Sequence, residues 1–522
     1  MSGEKPLICF FLDKIKRICY TEPNQSRKRV IAMKKLFAVL LLFATLTAVL
    51  AACVEPETNE GETTASEQTT ELTQLDAVPD ELDFDGDDVV IISRALQGWT
   101  WDEVSVPELN SEPVNDAIYN RNIVVNDRLG VNIVSHALDD PSPEPPVQAV
   151  RDAVLAGSDE YDLLAGACYL VMYTTLEGNF RDLTQMTYLD LSQNYWTQDY
   201  NNTLSYDGRQ YSATGMIALS NYRFAFVTAF NKTAFDDRSL PYLYDAVESG
   251  EWTLDYQATL SENFYRDLNG NGEADKDDFY GLITSSGIST DPYWVSCDIS
   301  LLEKNPDGEY EYVLDLQKLS DATDKILNLY YESGSYVYVG DDADNEQDEL
   351  RRDFTAGKAA MITTRLVAVE QADVRNMEDP YGIVPMPKFD KAQKDYGTLQ
   401  HDQITVYGIP VTVAENRVEM LGAVLEVMAS ESARTVKPAY YEVALKRKYM
   451  SDPVAWEMLD KIFDTVRIDA GVVYVSVIGG PHALLRDIAA SKQNTVSSTY
   501  SKLAKSIRKS LDEMHEKLDE LQ

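Results

Sequence analysis

A chain of 522 residues, 44% of them hydrophobic, has material for more than one packed core. Its 86 acidic residues outnumber 46 basic ones, a formal net charge of −40, and a surface of that sign excludes nucleic acid, whose phosphates need a basic partner. The same surface favours solubility and attracts cations.

The first element in chain order is an export signal. From Met33 the segment MKKLFAVLLLFATLTAVLAAC carries Lys34 and Lys35, an uncharged apolar run from Leu36 to Ala52, then Cys53. A charged start, an apolar centre and small residues before the cut are the pattern of an exported chain. Leu50-Ala51-Ala52-Cys53 resembles the bacterial lipobox, which implies cleavage before a lipidated Cys53 and anchoring at the extracellular face of the cytoplasmic membrane. A retained span is the competing reading, and it needs about 20 apolar residues where this run has 17. Residues 1–32 stand before a start and signal of their own, and are expected to be an upstream extension from a misassigned start. Without residues 1–52 the chain keeps 37 basic and 83 acidic residues, or −46. Cys168 and Cys297 then remain, and one disulfide or two buried thiols fit them equally.

Residues 53–84 are rich in Thr and Glu, without lysine and without an aromatic residue before Phe84. Such a composition cannot bury enough surface to fold, so a disordered tether is expected. Order begins at DDVVIISRAL, an apolar run that reads as a buried strand. A helix near Asn115 to Leu129 closed by Gly130, the strand VNIVSHAL, a helix presenting Val147, Val150 and Val154 and closed by Gly157, and the strand YDLLAGAC follow. Strand and helix in alternation imply parallel βαβ units and an α/β fold. RFAFVTAFNK, FYGLITSS, AAMITT, YGIVPMP and ITVYGIPV are further strand-like runs. Met420, Leu421, Val424, Leu425 and Met428 mark a helix among them. Leu503, Ile507, Leu511, Met514 and Leu518 give the chain a closing amphipathic helix.

Between a helix and the run FYGL lies DLNGNGEADKDD, residues 267–278. Read against the calcium-loop template, Asp267, Asn269, Asn271, Asp275 and Asp278 take positions 1, 3, 5, 9 and 12, with Gly272 at the turn. Glu273, at position 7, ligates through its main chain in such a loop. Asp278 is one methylene shorter than the usual Glu, so only moderate affinity is expected. An Asx-rich surface turn is the bland alternative. No second such loop follows, which excludes a duplicated docking module, and a structural Ca2+ clip is the expectation.

Motifs for a nucleophile elbow, a zincin, a phosphate loop and a zinc cluster are absent, and the four histidines are scattered. Carboxylate pairs for glycoside hydrolysis are too many to be informative. The 31 tyrosines and six tryptophans say more, since flat apolar faces with a polar edge suit sugars. Trp99, Trp101, Tyr222, Trp294 and Tyr474 fall in loops or at strand ends. For each alone, ordinary packing is the better reading; as a set they tilt the solute class toward carbohydrate.

FNK at 230–232 with GEWTLDYQATL at 250–260, FTAGKAAMITTRL at 354–366, and DPYGIVPMPKFDKAQKDY with YGIPVTV form three ordered blocks. They resemble the extracellular solute-binding proteins of family 1, the substrate-binding lipoproteins of ABC importers in Gram-positive bacteria, over residues 85–522. The resemblance implies a two-lobed periplasmic-binding-protein-like (type II) fold with a hinge and an interlobe cleft. Lobe one would hold 85–220 and 401–435, and lobe two 221–400 and 436–522. It implies a non-enzymatic, monomeric partner of ABC permease subunits, tethered by Cys53. Residues after cleft-facing strands are the expected solute contacts: Trp99, Trp101 and Arg365, then Tyr222, Trp294 and Asp402. Rings would stack on sugar faces while Arg365 and Asp402 bond hydroxyls. Trp252, at a helix entry with Thr253 as cap, reads as packing. A calcium-containing surface glycosidase or polysaccharide lyase, and a ligand sensor without a transporter, stay open as alternatives.

Overall fold

The computed structural model describes residues 76–94, 103–339, 343–449 and 452–521. The expected export signal, Cys53, Trp99 and Trp101 lie outside the described residues. The strands run β1 (Asp87–Ser93), β2 (Val131–Ala137), β3 (Leu163–Ala167), β4 (Phe226–Asn231), β5 (Tyr280–Ser285), β6 (Leu302–Lys304) and β7 (Tyr310–Tyr312). They continue as β8 (Ser335–Tyr338), β9 (Ala359–Arg365), β10 (Tyr381–Val384), β11 (Thr398–Leu399), β12 (Thr405–Gly408) and β13 (Val466–Arg467). The helices that matter below are α1 (Pro113–Leu129), α2 (Glu144–Ala156), α3 (Cys168–Thr175), α4 (Gln198–Leu204) and α5 (Leu254–Phe264). After them come α6 (Leu316–Tyr331), α7 (Glu415–Glu431), α8 (Ala483–Ser491) and α9 (Val496–Glu520).

Local chemistry accounts for these boundaries. The Glu112 carboxylate accepts from the N–H groups of Val114 and Asn115, and Pro113 pre-sets the first turn of α1. Gly130 closes that helix in the left-handed region, φ 58°, where a side chain would be strained. In β1, Ile91 and Ile92 point into different apolar clusters, as the two-residue period requires. Thr253 caps α5 through the Tyr256 N–H, and the buried Trp252 ring donates to the Pro385 carbonyl.

The first sheet has the order β12-β3-β1-β2, with β1 parallel to β2 and β3 and β12 antiparallel. Helix α7 packs on one face and α2 and α3 on the other, the double cover a largely parallel sheet needs. The second sheet has the order β10-β4-β9-β5-β8, with β5 parallel to β8 and β9, and β4 antiparallel to β9 and β10. Every residue of β4, β5 and β9 is buried. The chain crosses between the sheets from β3 to β4, from β10 to β12, and at the end of α7, where the helix widens to π geometry over 432–436 and 439–449.

Two boundaries differ from the sequence expectation. Residues 76–84 do not continue the tether. Arg128 binds Asp76 through two nitrogens, at 2.9 and 2.7 Å, and Val78 is buried, so this stretch packs on the first lobe. Parts of the expected second lobe also pack into the first-lobe cluster: Leu302 and Tyr310 of the β6–β7 hairpin, residues 468–478, and the last turns of α9 with Leu511, Met514 and Leu518. Tyr206 donates to Asp519 at 3.0 Å, and the Arg209 guanidinium donates to the carbonyls of Leu518 and Leu521. Periodicity identified the apolar stripe of α9 but carries no information on which lobe covers it. Cys168 and Cys297 are both buried and unpaired. Among the described residues no helix is long and apolar enough to cross a membrane.

Buried charge occurs where segments cross and also beneath α7. The Arg223 Nε and Nη2 donate to Glu370 at 3.0 and 2.9 Å, and Tyr440 adds its hydroxyl at 2.6 Å. Removing one partner strands the other in a low-dielectric site, so Glu370→Gln is expected to cost about 3–5 kcal/mol, read as a lowered urea midpoint. Under α7, Glu426 accepts from the Tyr195 hydroxyl, the Trp196 ring N–H and the Asp190 N–H. Burial nevertheless pushes its carboxyl up to about 7. A folded-state value above the unfolded one means this contribution is present below about pH 4.5 and lost as the pH rises through 7. Relative to Glu426→Gln, the wild type is expected to lose up to about 3 kcal/mol between pH 4.5 and 8. Parallel melting curves across that range would contradict it.

Candidate functional site

Two crossing segments run side by side between the sheets. Ala225 pairs with Gln400, and the Ser220 hydroxyl accepts from the Thr405 N–H at 2.9 Å. The C-terminal ends of strands from both lobes meet there. Arg94 follows β1, and its guanidinium donates to the Gln403 carbonyl at 3.2 Å and side chain at 3.5 Å. Arg365 ends β9 and lies over the Phe224 ring, 5.4 Å from its centroid. His401 packs edge-on to Phe224, with ring centroids 6.1 Å apart, and beside Phe226. Its Nδ1 is 3.5 Å from the Asp402 carboxylate.

Asp402 is positioned by backbone, its carbonyl accepting from the Tyr169 N–H at the start of α3. On the second lobe Asp291 lies past the end of β5 and is gripped by one edge of the Arg486 guanidinium of α8, Nε to Oδ1 at 2.8 Å and Nη2 to Oδ2, with His482 Nε2 at 3.6 Å. Arg94, Asp291, Arg365, His401 and His482 are all buried.

Electrostatics in this cluster follow from that burial. Burial keeps His401 neutral, and the nearby positive charges of Arg365, Arg486 and Arg94 reinforce the effect. Burial likewise raises the Asp402 carboxyl to about 6, with neighbouring Asp291 adding to the shift. Asp291 behaves oppositely: burial opposes its ionisation, but Arg486 and the His482 hydrogen bond outweigh it and hold the carboxyl well below the usual range. The Ser93 Oγ, Gln400 Oε1 and His482 Nδ1 are buried without a hydrogen-bond partner among the described residues. Unsatisfied buried polar atoms are uncommon in folded proteins and are expected where a ligand supplies the partner.

Of the residues expected to touch solute, Arg365 and Asp402 fall in this cluster. Trp294 stands behind it, fully buried, with its ring N–H donated to the His482 carbonyl. Tyr222 is engaged with the rings of Tyr440, Tyr441 and Phe463. Arg94, Asp291, His401, His482 and Arg486 were not among the expected contacts. Arg94 had a readable signal, since it follows directly on the strand run VVIIS, whereas Asp291 lies past the end of β5, after the turn at 288–290. Nothing in the sequence marks His482 or Arg486, which reach the cluster from a distant helix. A cavity of about 560 Å³ lies elsewhere, walled by Asp298, Asp315, Lys318, Phe389 and Tyr396. It draws on no strand end of the first sheet, so the crossings are the better candidate.

The 267–278 loop is closed by its own hydrogen bonds. Asp267 accepts from the N–H groups of Gly270 and Gly272, at 2.6 and 2.9 Å. The Asn269 and Asn271 oxygens accept from the N–H groups of Asn271 and Glu273, and their amide nitrogens face Asp275. Buried Asp278 accepts from the Leu268 N–H and the Tyr265 hydroxyl, both at 3.0 Å. The oxygen-rich composition suits Ca2+, whereas in this arrangement, and among the described residues generally, no three His, Cys, Asp or Glu side chains are placed to hold a metal ion.

No protein-family model matches the chain, and no curated protein matches it in sequence. Solved structures do match it. The GacH receptor of Streptomyces glaucescens GLA.O, described unliganded and with acarbose, superposes with a TM-score of 0.51 at 13% identity, covering 84% of this chain and 100% of that one. UgpB from Mycobacterium tuberculosis in complex with glycerophosphocholine gives 0.51 at 17%, covering 82% and 98%. The ABC substrate-binding protein Lmo0181 from Listeria monocytogenes, in complex with cycloalternan, gives 0.53 at 13%, covering 83% and 100%. Identities this low speak to architecture alone, and the chain has the two-lobed, periplasmic-binding-protein-like α/β fold of these solute-binding proteins.

Proposed function

We propose that this chain is a lipid-anchored, extracellular solute-binding component of an ABC importer, which captures a small solute of the carbohydrate class by closing one lobe on the other. The observation that carries the reading is the buried polar cluster at the crossings, assembled from both lobes at strand ends. Sites between domains are where small ligands are expected, and side chains from two lobes meet only when the lobes approach. Arg365 and Asp402 would bond solute hydroxyls, while Trp99 and Trp101 would supply stacking faces. Cys53 would carry the lipid, and permease subunits would read the closed form of a monomer. The neighbours of the same fold are described with acarbose, glycerophosphocholine and cycloalternan, which supports a polar, sugar-like solute.

A thermal-shift screen against mono- and oligosaccharides tests this reading. A bound solute at 100 times its Kd stabilises by about 2.7 kcal/mol, so a rise in Tm without turnover is expected. Release of reducing ends, or of an unsaturated product, would replace binding by catalysis.

The 267–278 loop is proposed as a structural calcium clip remote from the solute. It enters β5 at Tyr280, whereas Asp291 lies beyond the other end of that strand, and six extended residues span roughly 20 Å. Calcium is expected to raise the Tm of the wild type, and Asp267→Ala to abolish that rise while solute Kd stays within about twofold. Equal melting of both proteins in calcium would leave the loop a self-closed turn.

A further inference from the structure

One helix is seated in both lobes. Helix α9 spans 25 residues, about 37 Å at the rise of an α-helix, and contains no glycine or proline. Its apolar stripe changes owner along that length. Val496 belongs to the second-lobe cluster, with Leu503 packed against the same cluster, whereas Leu511, Met514 and Leu518 belong to the first-lobe cluster together with Leu521. At the second lobe the start of the helix is tied down by Asn494, whose amide donates to the Ser320 carbonyl at 3.0 Å and to Asp324 at 2.7 Å.

The first-lobe seat is residues 206–209. Tyr206 donates to Asp519 at 3.0 Å and lies against the His515 ring, with centroids 6.4 Å apart. Arg209 donates to the carbonyls of Leu518 and Leu521, groups that a helix end leaves without an internal partner, and its charge suits the negative end of the helix. The neighbouring stretch is gripped by Lys304 and Tyr310 of the β6–β7 hairpin, and Asp199 accepts from the Ile468 N–H at 2.7 Å. The seat is incompletely satisfied, since Arg209 Nε and His515 Nε2 are buried without a hydrogen-bond partner among the described residues. Buried polar atoms left unpaired are destabilising, so this end of the helix is the easier one to free.

A swing of one lobe about the crossings moves the two seats relative to one another. Sharp bends in a helix need a proline, a glycine or a break in the hydrogen-bond ladder, and α9 has neither residue and is α-helical throughout. One end must therefore leave its seat. Both ends are seated in the arrangement in which side chains of the two lobes meet at the crossings. A contact made only in that arrangement stabilises it before any solute arrives.

We infer that the last turns of α9, residues 511–521, are a strap: seated on 206–209 they hold the lobes together in the solute-free chain, and they leave the first lobe when the lobes open. This rests on the lobe-closure reading above. It adds a second control on opening besides the crossings themselves.

Small-angle scattering on the solute-free protein tests it, comparing wild type with Arg209→Ala, Arg209→Lys and a chain ending at Ser510. Arg209→Ala and the shortened chain are expected to show a larger radius of gyration and a greater maximum dimension than wild type, with Arg209→Lys intermediate. A melting curve for each variant separates an opened protein from an unfolded one, and Arg209→Ala carries the test if the shortened chain does not fold. Hydrogen exchange on the wild type supplies the second reading: amides of 511–521 are expected to exchange at least about tenfold faster than those of 500–507, and Arg209→Ala to accelerate the first group alone. Scattering of the folded variants that superposes on wild type, or a smaller radius, overturns the strap. Equal protection along the whole of α9 overturns its release. All of these readings are taken without solute, so failure of the saccharide screen would remove solute capture and leave them standing, while unchanged scattering beside a positive screen would remove the strap and leave capture standing.

Discussion

The structure depends on one constraint: a chain that crosses repeatedly between two sheets must bury polar backbone and charge where the crossings pack together. The Arg223–Glu370 pair, with Tyr440 closing it, meets that requirement by linking the β3–β4 crossing, the segment after β9 and the π-helical continuation of α7. A fully paired ion pair tolerates burial that either ion alone would not. Widened helical turns are common at functional positions, and here the widening occurs where a lobe-one helix becomes a lobe-two one.

Around that scaffold the lobes are not independent bodies. Helix α1 contributes Val114 and Ile118 to the second-lobe core and Val125 and Leu129 to the first. The β6–β7 hairpin and the end of α9 reach back to the first lobe on another side, with Lys304 donating to the Asn202 carbonyl in the last turn of α4 and to the Ser205 hydroxyl, and Tyr310 donating to the Thr203 carbonyl at 2.9 Å. A cationic side chain at a helix C-terminus is favoured by the helix dipole, so this clasp is chemically specific and not only apolar. Its burial also holds the Lys304 ammonium at a lowered value of about 8.

Legibility followed the range of the interactions. The strand VVIIS, the capped helix before Gly130 and the buried runs AAMITT and YGLITS were readable because two- and 3.6-residue periods are local properties. Of the candidate site, Arg365 and Asp402 were readable as residues bordering strands that a resemblance placed at a cleft. The aromatic argument was weaker, since composition counts rings without saying which are spent on packing. Trp294 and Tyr222 illustrate this, both engaged by neighbours from distant segments. The calcium-like loop matched its template by residue type, while the template says nothing of carboxylates already satisfied by neighbouring N–H groups.

By itself, then, the sequence determined the acidic composition, the alternation of strands and helices, and the helix caps, each a matter of composition or of neighbours within a few residues. Only tertiary structure decided which lobe covers the apolar stripe of α9, that residues 76–84 belong to the folded body, and that Arg94, Asp291, His401, His482 and Arg486 share one cluster. Those five residues are spread over nearly 400 positions. What brings them together is the pairing of strands and the crossing of the chain between sheets, which no local pattern encodes.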